Sequence, residues 1–128
     1  MARKSILIVD DEKNIRLTVV HSLEPLGFEI DTAVNGEEAL TKIQNEDYGL
    51  LLMDLRLPGM NGMEVLQRIR ELRLDVKVII ITAYGTIELA VKAMKLGAVD
   101  FIQKPFAPQE IREAVLQATD IKTDREEK

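Results

Sequence analysis

Five short apolar runs alternate with segments of helical periodicity along this chain, and this alternation constrains the fold more than any other feature. The runs are rich in Ile, Leu and Val, as strands are. They cover residues 6–9, 28–34, 50–53, 76–82 and 99–104. Between them, apolar residues recur every three or four positions, which places them on one face of a helix. The sequence therefore predicts five strands, each followed by a helix.

Strict alternation of strand and helix predicts a parallel sheet with helices on both faces, because the connections between parallel strands are right-handed crossovers. The first and third runs, ILIV and LLLM, are continuously apolar, which is typical of central strands that are covered on both sides. We expect a flavodoxin-like, doubly wound α/β fold with five helices and five parallel strands in the order 2-1-3-4-5.

Length, composition and charge exclude several classes of protein. A chain of 128 residues fits one domain, which we expect over residues 1–121, followed by a charged tail or linker over 122–128. No cysteine is present, so disulfides and thiolate metal sites are excluded. A net charge of −5 argues against direct nucleic-acid binding. The N-terminal apolar run is too short for a membrane span or a signal peptide, so we expect a cytoplasmic protein without membrane contact.

Polar residues stand where the predicted strands end. Asp10 and Asp11 follow the first strand, Asp54 follows the third, Thr82 ends the fourth and Lys104 ends the fifth. Because the carboxyl ends of parallel strands share one edge of the sheet, where open α/β folds bind ligands, we expect these side chains to converge there.

Three carboxylates close together repel one another unless a cation lies among them, and an oxygen-only site suits Mg²⁺. Asp10 and Asp11 would hold the metal directly or through water, and Asp54 would share it. A carboxylate can also attack phosphorus to form an acyl phosphate, and Lys104 and Thr82 would then offset charge on the transferred group. Asp10 and Asp11 would alternatively cap the first helix, which is compatible with metal binding.

Four motifs together carry a family resemblance. ILIVDDE, LLLMDLRLPGMNG, VIIITAYG and GAVDFIQKPF resemble response regulator receiver domains of two-component signalling over residues 4–121. The resemblance implies that Asp54 accepts a phosphoryl group from a phosphohistidine of a sensor histidine kinase. It also implies that Mg²⁺ binds Asp10, Asp11, Asp54 and the backbone carbonyl of Arg56. It implies a domain that is no enzyme, apart from catalysing its own phosphorylation and dephosphorylation.

The resemblance implies one loop feature, and the residues themselves predict another. The Lys104–Pro105 peptide bond is expected to be cis and to aim Lys104 at the site. Pro58 and Gly59 are interpreted as a turn that shapes the loop, so that backbone groups near Arg56 face the metal.

Phosphorylation would be transmitted by residues on the last two strands. By resemblance, Thr82 and Lys104 bind the phosphoryl group, Thr82 moves toward it, and Phe101 fills the space that Thr82 leaves. With phenylalanine in place of the more common tyrosine, the switch would rest on packing. Arg56 and Tyr84 match positions that influence how fast water reaches the acyl phosphate, and we expect a long-lived phosphoryl state.

The predicted fourth helix carries two apolar rows, although one buried face needs only one. The row expected to face the sheet comprises Ile87, Ala90, Val91 and Met94. The row expected to contact a partner comprises Leu89, Ala93 and Leu96. That partner would be a second receiver in a dimer or an output domain.

The segment from residue 82 to residue 106 looks most like receivers of sigma-54-dependent transcription activators, so a fused transcriptional output is expected. There are three alternative functions for such a pattern. An aspartate-nucleophile phosphatase would have a second aspartate two residues after Asp54, where this chain has Arg56. A flavin-binding module would need a phosphate loop after the first strand. A pseudo-receiver that only binds proteins would not need the complete acid, threonine and lysine set.

Overall fold

The computed structural model describes residues 5–119, in which five strands alternate with five helices. The strands are β1 (Ser5–Val9), β2 (Glu29–Ala33), β3 (Leu50–Met53), β4 (Lys77–Thr82) and β5 (Asp100–Gln103). The helices are α1 (Lys13–Leu23), α2 (Gly36–Asn45), α3 (Gly62–Glu71), α4 (Ile87–Lys95) and α5 (Pro108–Thr119). A 3₁₀ turn, Glu24–Leu26, follows α1. Each strand ends within one residue of its predicted run.

All five strands pair in parallel in the order β2-β1-β3-β4-β5, which confirms the predicted doubly wound fold. Successive residues of the central strands point to opposite faces. Leu7 and Leu51 pack under α2 and α3, whereas Ile6 and Ile8 pack under α1 and α5. The first and third runs are therefore buried on both sides, as their composition predicted.

Three helices begin with side-chain caps at the carboxyl edge of the sheet. Asn35, Asn61 and Thr86 each accept a hydrogen bond from a backbone N–H in the first turn of α2, α3 and α4. Such caps satisfy N–H groups that have no partner within the helix. They also fix the points at which the edge loops enter the helices.

The strand register brings the polar strand ends together. Val9 pairs with Met53, so Asp10 and Asp54 leave adjacent strands side by side. Thr82 pairs with Gln103, and the Lys104 N–H donates to the Thr82 carbonyl at 2.9 Å. The backbone therefore brings these polar residues together at one edge of the sheet, as the parallel topology predicted.

The two faces of α4 are opposite to the prediction. Ile87, Val91 and Met94 are 84%, 47% and 46% exposed, whereas Ala93 is fully buried. Leu89 and Leu96 pack against the core beside Ala93. The predicted partner row of Leu89, Ala93 and Leu96 is therefore wrong, because these residues form the face that covers the sheet. The row on the other side, at Ile87, Val91 and Met94, faces solvent.

Two further predictions concern the charged tail and membrane spans. The predicted tail, residues 122–128, lies outside the described residues. Within residues 5–119, no helix combines the length and apolar character that crossing a membrane requires.

Candidate functional site

An open cavity of about 510 Å³ lies at the carboxyl edge of the sheet. The residues that line it come from the loops after β1, β3, β4 and β5. They are Asp11, Glu12, Asp54, Arg56, Leu57, Pro58, Asn61, Ala83, Tyr84 and Lys104. Its wall therefore combines acidic side chains with one buried ammonium, and it has room for a phosphoryl-sized group with water.

Lys104 joins two buried carboxylates at this edge. Its Nζ donates to Asp10 Oδ2 at 2.8 Å and to Asp54 Oδ2 at 2.7 Å. All three side chains are nearly inaccessible to solvent, at 10%, 5% and 6% exposed. Glu12 Oε1 lies 3.9 Å from the same nitrogen but is mostly exposed. Two buried negative charges thus share one buried positive charge.

Burial sets the electrostatics of this trio. Loss of hydration raises the pKa of Asp10, although the hydrogen bond and charge of Lys104 and the Glu12 N–H oppose that rise. Burial by itself would lower the pKa of Lys104, but its hydrogen bonds to the two aspartates outweigh this and raise it. The ammonium therefore stays charged at neutral pH, beside a carboxyl group that is costly to ionise.

The carboxylate of Asp54 is held at both oxygens. Oδ2 accepts from Lys104, and Oδ1 accepts from the backbone N–H of Arg56 at 3.1 Å. Since a carboxylate oxygen has more than one lone pair, both oxygens keep acceptor capacity. Asp54 is thus oriented and still able to react toward the cavity.

The loop after Asp54 is braced from α2. Gly59 has φ +73°, which a side chain would strain, and its position lies against the carboxylate of Glu37. Glu37 Oε2 accepts from the Met60 N–H at 3.1 Å. Pro58 lines the cavity, and Gly59 follows it in the same loop. Glu37 braces this loop from α2, a role for which the sequence carries no signal.

The predicted cluster of three aspartates does not form as expected. Within residues 5–119, no group of three or more His, Cys, Asp or Glu side chains is arranged to hold a metal ion. The Lys104 ammonium bonds to both Asp10 and Asp54, and Asp11 is exposed to solvent. Yet Mg²⁺ commonly takes one or two protein carboxylates and keeps several waters. Asp11 and Asp54, which both line the cavity, fit that requirement.

Neither aspartate of the Asp10–Asp11 pair caps α1 by side-chain contact. The N-cap residue is Glu12, and its side chain makes no capping hydrogen bond. Asp10 Oδ1 instead accepts from the Glu12 N–H at 2.9 Å. Arg16 donates to the Asp10 carbonyl at 2.8 Å, a contact for which the sequence offers no signal beyond a basic residue in the first turn.

Thr82 lies at the end of β4 and is completely buried. Its Oγ1 accepts from the Tyr84 N–H at 3.1 Å. Of the residues that the structure describes, Thr82 is not one of those lining the cavity. Its hydroxyl is therefore next to the site but is turned into the loop that follows β4.

Phe101 lies beside this loop, half-buried against the core. A Cβ atom at Gly85 would lie 2.6 Å from Phe101 Cε1, so the ring packs directly on the glycine backbone. The amide of Gln103 also donates to the Gly85 carbonyl at 3.2 Å. Gly85 thus determines how closely the loop approaches β5, and only its residue type hinted at this role.

Arg56 and Tyr84 meet over the cavity. The guanidinium carbon of Arg56 lies 4.0 Å from the centroid of the Tyr84 ring, within the range of a cation–π contact. The Lys104–Pro105 bond is cis, the isomer that was expected.

Comparisons with known proteins agree with this architecture. The family model described as "Response regulator receiver domain" matches residues 6–116. Sporulation initiation phosphotransferase F of Bacillus subtilis is 36% identical over 124 residues, which cover 97% of this chain and all of that protein. The transcriptional regulatory protein FixJ of Rhizobium meliloti is 38% identical over 94% of this chain, which spans 59% of FixJ.

Among solved structures, the response regulator receiver domain protein (CheY-like) from Methanospirillum hungatei is similar throughout. It is 37% identical with a TM-score of 0.84, and the alignment covers 91% of this chain and 93% of that one. The resemblance seen in the four motifs therefore extends to the whole described fold.

Proposed function

This chain belongs to the response regulator receiver domain family, and we propose that Asp54 is the residue that accepts a phosphoryl group in it. The observation that supports this most is the buried carboxylate of Asp54, held by Lys104 and by the Arg56 N–H at the wall of an open cavity. The donor would be a phosphohistidine of a sensor histidine kinase. The domain would catalyse its own phosphorylation and dephosphorylation and have no separate substrate.

The transfer is a displacement at phosphorus. An oxygen of Asp54 attacks the phosphorus atom, the bond between phosphorus and the donor nitrogen breaks, and its electron pair stays on the imidazole. Lys104 holds Asp54 in place beforehand and then offers its ammonium to a phosphoryl oxygen. Because the ammonium is already buried and charged, it needs little reorganisation during the reaction.

Mg²⁺ would be held by Asp11 and Asp54, with the Arg56 carbonyl and, through water, Asp10. When bound, it supplies positive charge that offsets the charge of the transferred group. Asp10 also positions Lys104 through their 2.8 Å hydrogen bond.

The switch would begin at Thr82. The Thr82 hydroxyl now accepts from the Tyr84 N–H. A phosphoryl group on Asp54 would offer it a charged acceptor to which it could donate its own proton. Movement of Thr82 would free space for the Phe101 ring, which already packs on Gly85 in the same loop. Phosphorylation would thus shift the populations of two loop arrangements.

The outward row of α4 is the surface that this shift would present. Ile87, Val91 and Met94 form an exposed apolar strip. Lys92 and Lys95 on α4 lie beside it, and an acidic groove follows between β5 and α5, lined in part by Asp100, Glu110 and Glu113. The basic last turn of α4 and the acidic groove can complement each other across a two-fold axis, so we propose a second copy as the partner. A transcriptional output of the sigma-54-activator type remains a proposal from sequence resemblance.

Sedimentation of the phosphorylated protein tests this surface. Val91→Ser should weaken association of the phosphorylated form at least about tenfold, because the strip is apolar and central. Leu17→Ser changes an equally exposed leucine on α1 and should leave association unchanged. Equal association of the Val91→Ser variant and the wild type would contradict the assignment.

The central proposal is tested by intact mass after incubation with acetyl phosphate and Mg²⁺. The wild type should gain one phosphoryl group, and Asp54→Asn should gain none. Asp31→Asn alters an aspartate of the edge strand β2, two strands away from β3, and should behave as the wild type does. A gain that persists in Asp54→Asn would refute the proposal.

A further inference from the structure

The loop between Asp54 and α3 forms one wall of the proposed phosphorylation site, and its two ends are joined to each other. The Gly62 N–H donates to the Leu55 carbonyl at 2.9 Å, and a Cβ atom at Gly62 would lie 2.5 Å from the Asp54 carbonyl oxygen. Near the start of the loop, the Arg56 N–H donates to Asp54 Oδ1 at 3.1 Å. The tip of the loop, residues 58–60, is contacted from α2.

Two neighbouring residues at the start of α2 make these contacts. The backbone of Gly36 lies so close that a Cβ atom there would be 2.6 Å from the Met60 carbonyl oxygen. Glu37 Oε2 accepts from the Met60 N–H at 3.1 Å, and a Cβ atom at Gly59 would lie 2.8 Å from the same oxygen. The first turn of α2 is therefore in direct contact with the tip of the loop.

The orientation of the Glu37 side chain is not explained by the needs of its own helix. Its neighbour Glu38 completes the start of α2, because Asn35 accepts from the Glu38 N–H and Glu38 accepts from the Val34 N–H, at 2.8 and 2.9 Å. Glu38 also pairs with Lys42. Glu37 takes no part in this cap, and within residues 5–119 it forms no ion pair. Its carboxylate is used to hold the loop.

The tip of the loop is connected to the site by a short and stiff stretch of backbone. Pro58 lines the cavity, and its ring fixes its φ angle. Leu57, which is buried, separates Pro58 from Arg56. The N–H of Arg56 holds Asp54, and its carbonyl is a proposed ligand of Mg²⁺. Displacement of the tip should therefore move the backbone beside Asp54, because little rotational freedom lies between them to absorb it.

We propose that Glu37 is a positioning residue of the phosphorylation site, whose hydrogen bond to Met60 keeps the Arg56 backbone in place for Mg²⁺ binding. This inference rests on the proposed function. It gives α2 a part in a site whose other proposed residues lie on strand ends or in the loops that follow them. Loss of the hydrogen bond should weaken metal binding without unfolding the domain, because Glu37 is exposed and contributes nothing to the core.

Titration with Mg²⁺ alone tests this role, followed by the Arg56 amide resonance in NMR spectra of the unphosphorylated protein. Glu37→Ala should weaken Mg²⁺ binding about fivefold, the equivalent of one net hydrogen bond. Glu37→Gln is the matched control, because it removes the charge but keeps a side-chain oxygen that can accept from the Met60 N–H. At about 0.15 M salt, which screens exposed charges, Glu37→Gln should bind Mg²⁺ as the wild type does.

Exchange of the Met60 amide hydrogen with solvent measures the hydrogen bond itself. Exchange should be faster in Glu37→Ala than in the wild type or in Glu37→Gln. Both variants lose the same charge at the start of α2, so their urea unfolding midpoints should be closely similar. A difference between them in Mg²⁺ affinity then reports on the position of the loop and not on the stability of the domain.

Three results would overturn the inference. Equal Mg²⁺ affinities of Glu37→Ala and the wild type would mean that the loop keeps its position without Glu37. Binding by Glu37→Gln as weak as that by Glu37→Ala would mean that the charge acts, and not the hydrogen bond. An Arg56 amide that does not respond to Mg²⁺ in the wild type would remove the metal ligand on which the inference depends.

Intact mass after incubation with acetyl phosphate and Mg²⁺ separates this inference from the proposed function. If either of the first two results came with a normal Asp54-dependent gain of phosphoryl mass in the wild type, the role of Glu37 alone would be wrong. If the wild type gained no such mass, the proposed function would fail and this inference with it.

Discussion

Lys104 and Lys42 each form an ion pair with aspartate. The two clusters differ in how far they are buried and in their net charge. Lys104 is buried and shared by Asp10 and Asp54. Lys42 is 26% exposed and pairs with Asp31, which is 45% exposed, at 3.2 Å. The first cluster has an excess of buried negative charge, whereas solvent screens the second.

The aspartate of the second cluster also has more hydrogen-bond donors. The Tyr48 hydroxyl donates to Asp31 Oδ2 at 2.8 Å, and the Thr32 N–H and Lys42 donate to Oδ1. Burial by itself would raise the pKa of Asp31, but these donors outweigh it and lower the pKa. Burial raises the pKa of Asp10 despite its own partners. The comparison shows the difference between a carboxylate that stabilises the fold and one that the fold holds at a cost.

The largest expected difference between the clusters comes from removing each lysine. Lys104→Met leaves two buried carboxylates without a counterion and should lower the free energy of unfolding by about 3–5 kcal/mol. Lys42→Met breaks a partly exposed pair and should cost about 1 kcal/mol or less. Urea unfolding at pH 7 measures both changes. Similar decreases in the free energy of unfolding for the two variants would contradict the conclusion that only the first cluster holds excess buried negative charge.

Neutralising the aspartates should change the free energy of unfolding by a smaller amount, and in opposite directions for Asp10 and Asp31. A raised pKa in the folded state gives Asp10 a stabilising contribution below pH 3.8 that is lost as the pH rises through its raised pKa. Ionised Asp10 therefore opposes folding at pH 7. Asp10→Asn should raise the free energy of unfolding there by about 1 kcal/mol, when measured with a chelator present.

For Asp31 the sign is reversed. Its lowered pKa gives a contribution that is present above pH 3.8 and is lost as the pH falls through the lowered value. Asp31→Asn should therefore reduce the free energy of unfolding at pH 7 by less than about 1 kcal/mol, since the group is partly exposed. Both differences should shrink toward pH 3. Changes of the same sign at pH 7 would show that the two aspartates are not electrostatically distinct.

The sequence was sufficient to predict the sheet, its strand order and the convergence of Asp10, Asp54 and Lys104. Each of these follows from the alternation of strand and helix and from the shared direction of parallel strands. The residues that follow the apolar runs must then lie at the carboxyl edge of the sheet, whichever residues surround them in sequence.

The orientation of α4 could not be predicted in the same way. Its two rows lie on nearly opposite sides of the helix, and the row at Ile87, Val91 and Met94 is at least as apolar as the row at Leu89, Ala93 and Leu96. Hydrophobicity therefore favoured the wrong face. The small side chain of Ala93, fully buried, allows the close approach of α4 to the sheet, and residue size was the signal that hydrophobicity obscured.

Contacts that involve loop residues could not be predicted either. The Arg56–Tyr84 stack, the brace from Glu37 and the hydrogen bond from Tyr48 to Asp31 all join residues that are distant in sequence. None shows periodicity or a motif, because at least one partner in each contact lies in a loop whose conformation the sequence pattern does not fix.

The most direct test of the account is to locate the phosphoryl group chemically. Borohydride converts an aspartyl phosphate to homoserine, so peptide mass mapping after phosphorylation by acetyl phosphate with Mg²⁺ identifies the acceptor. The account predicts homoserine at position 54 and unchanged aspartate at positions 10, 11 and 31. Homoserine at any other aspartate, or none in a protein that has gained the phosphoryl mass, would contradict it.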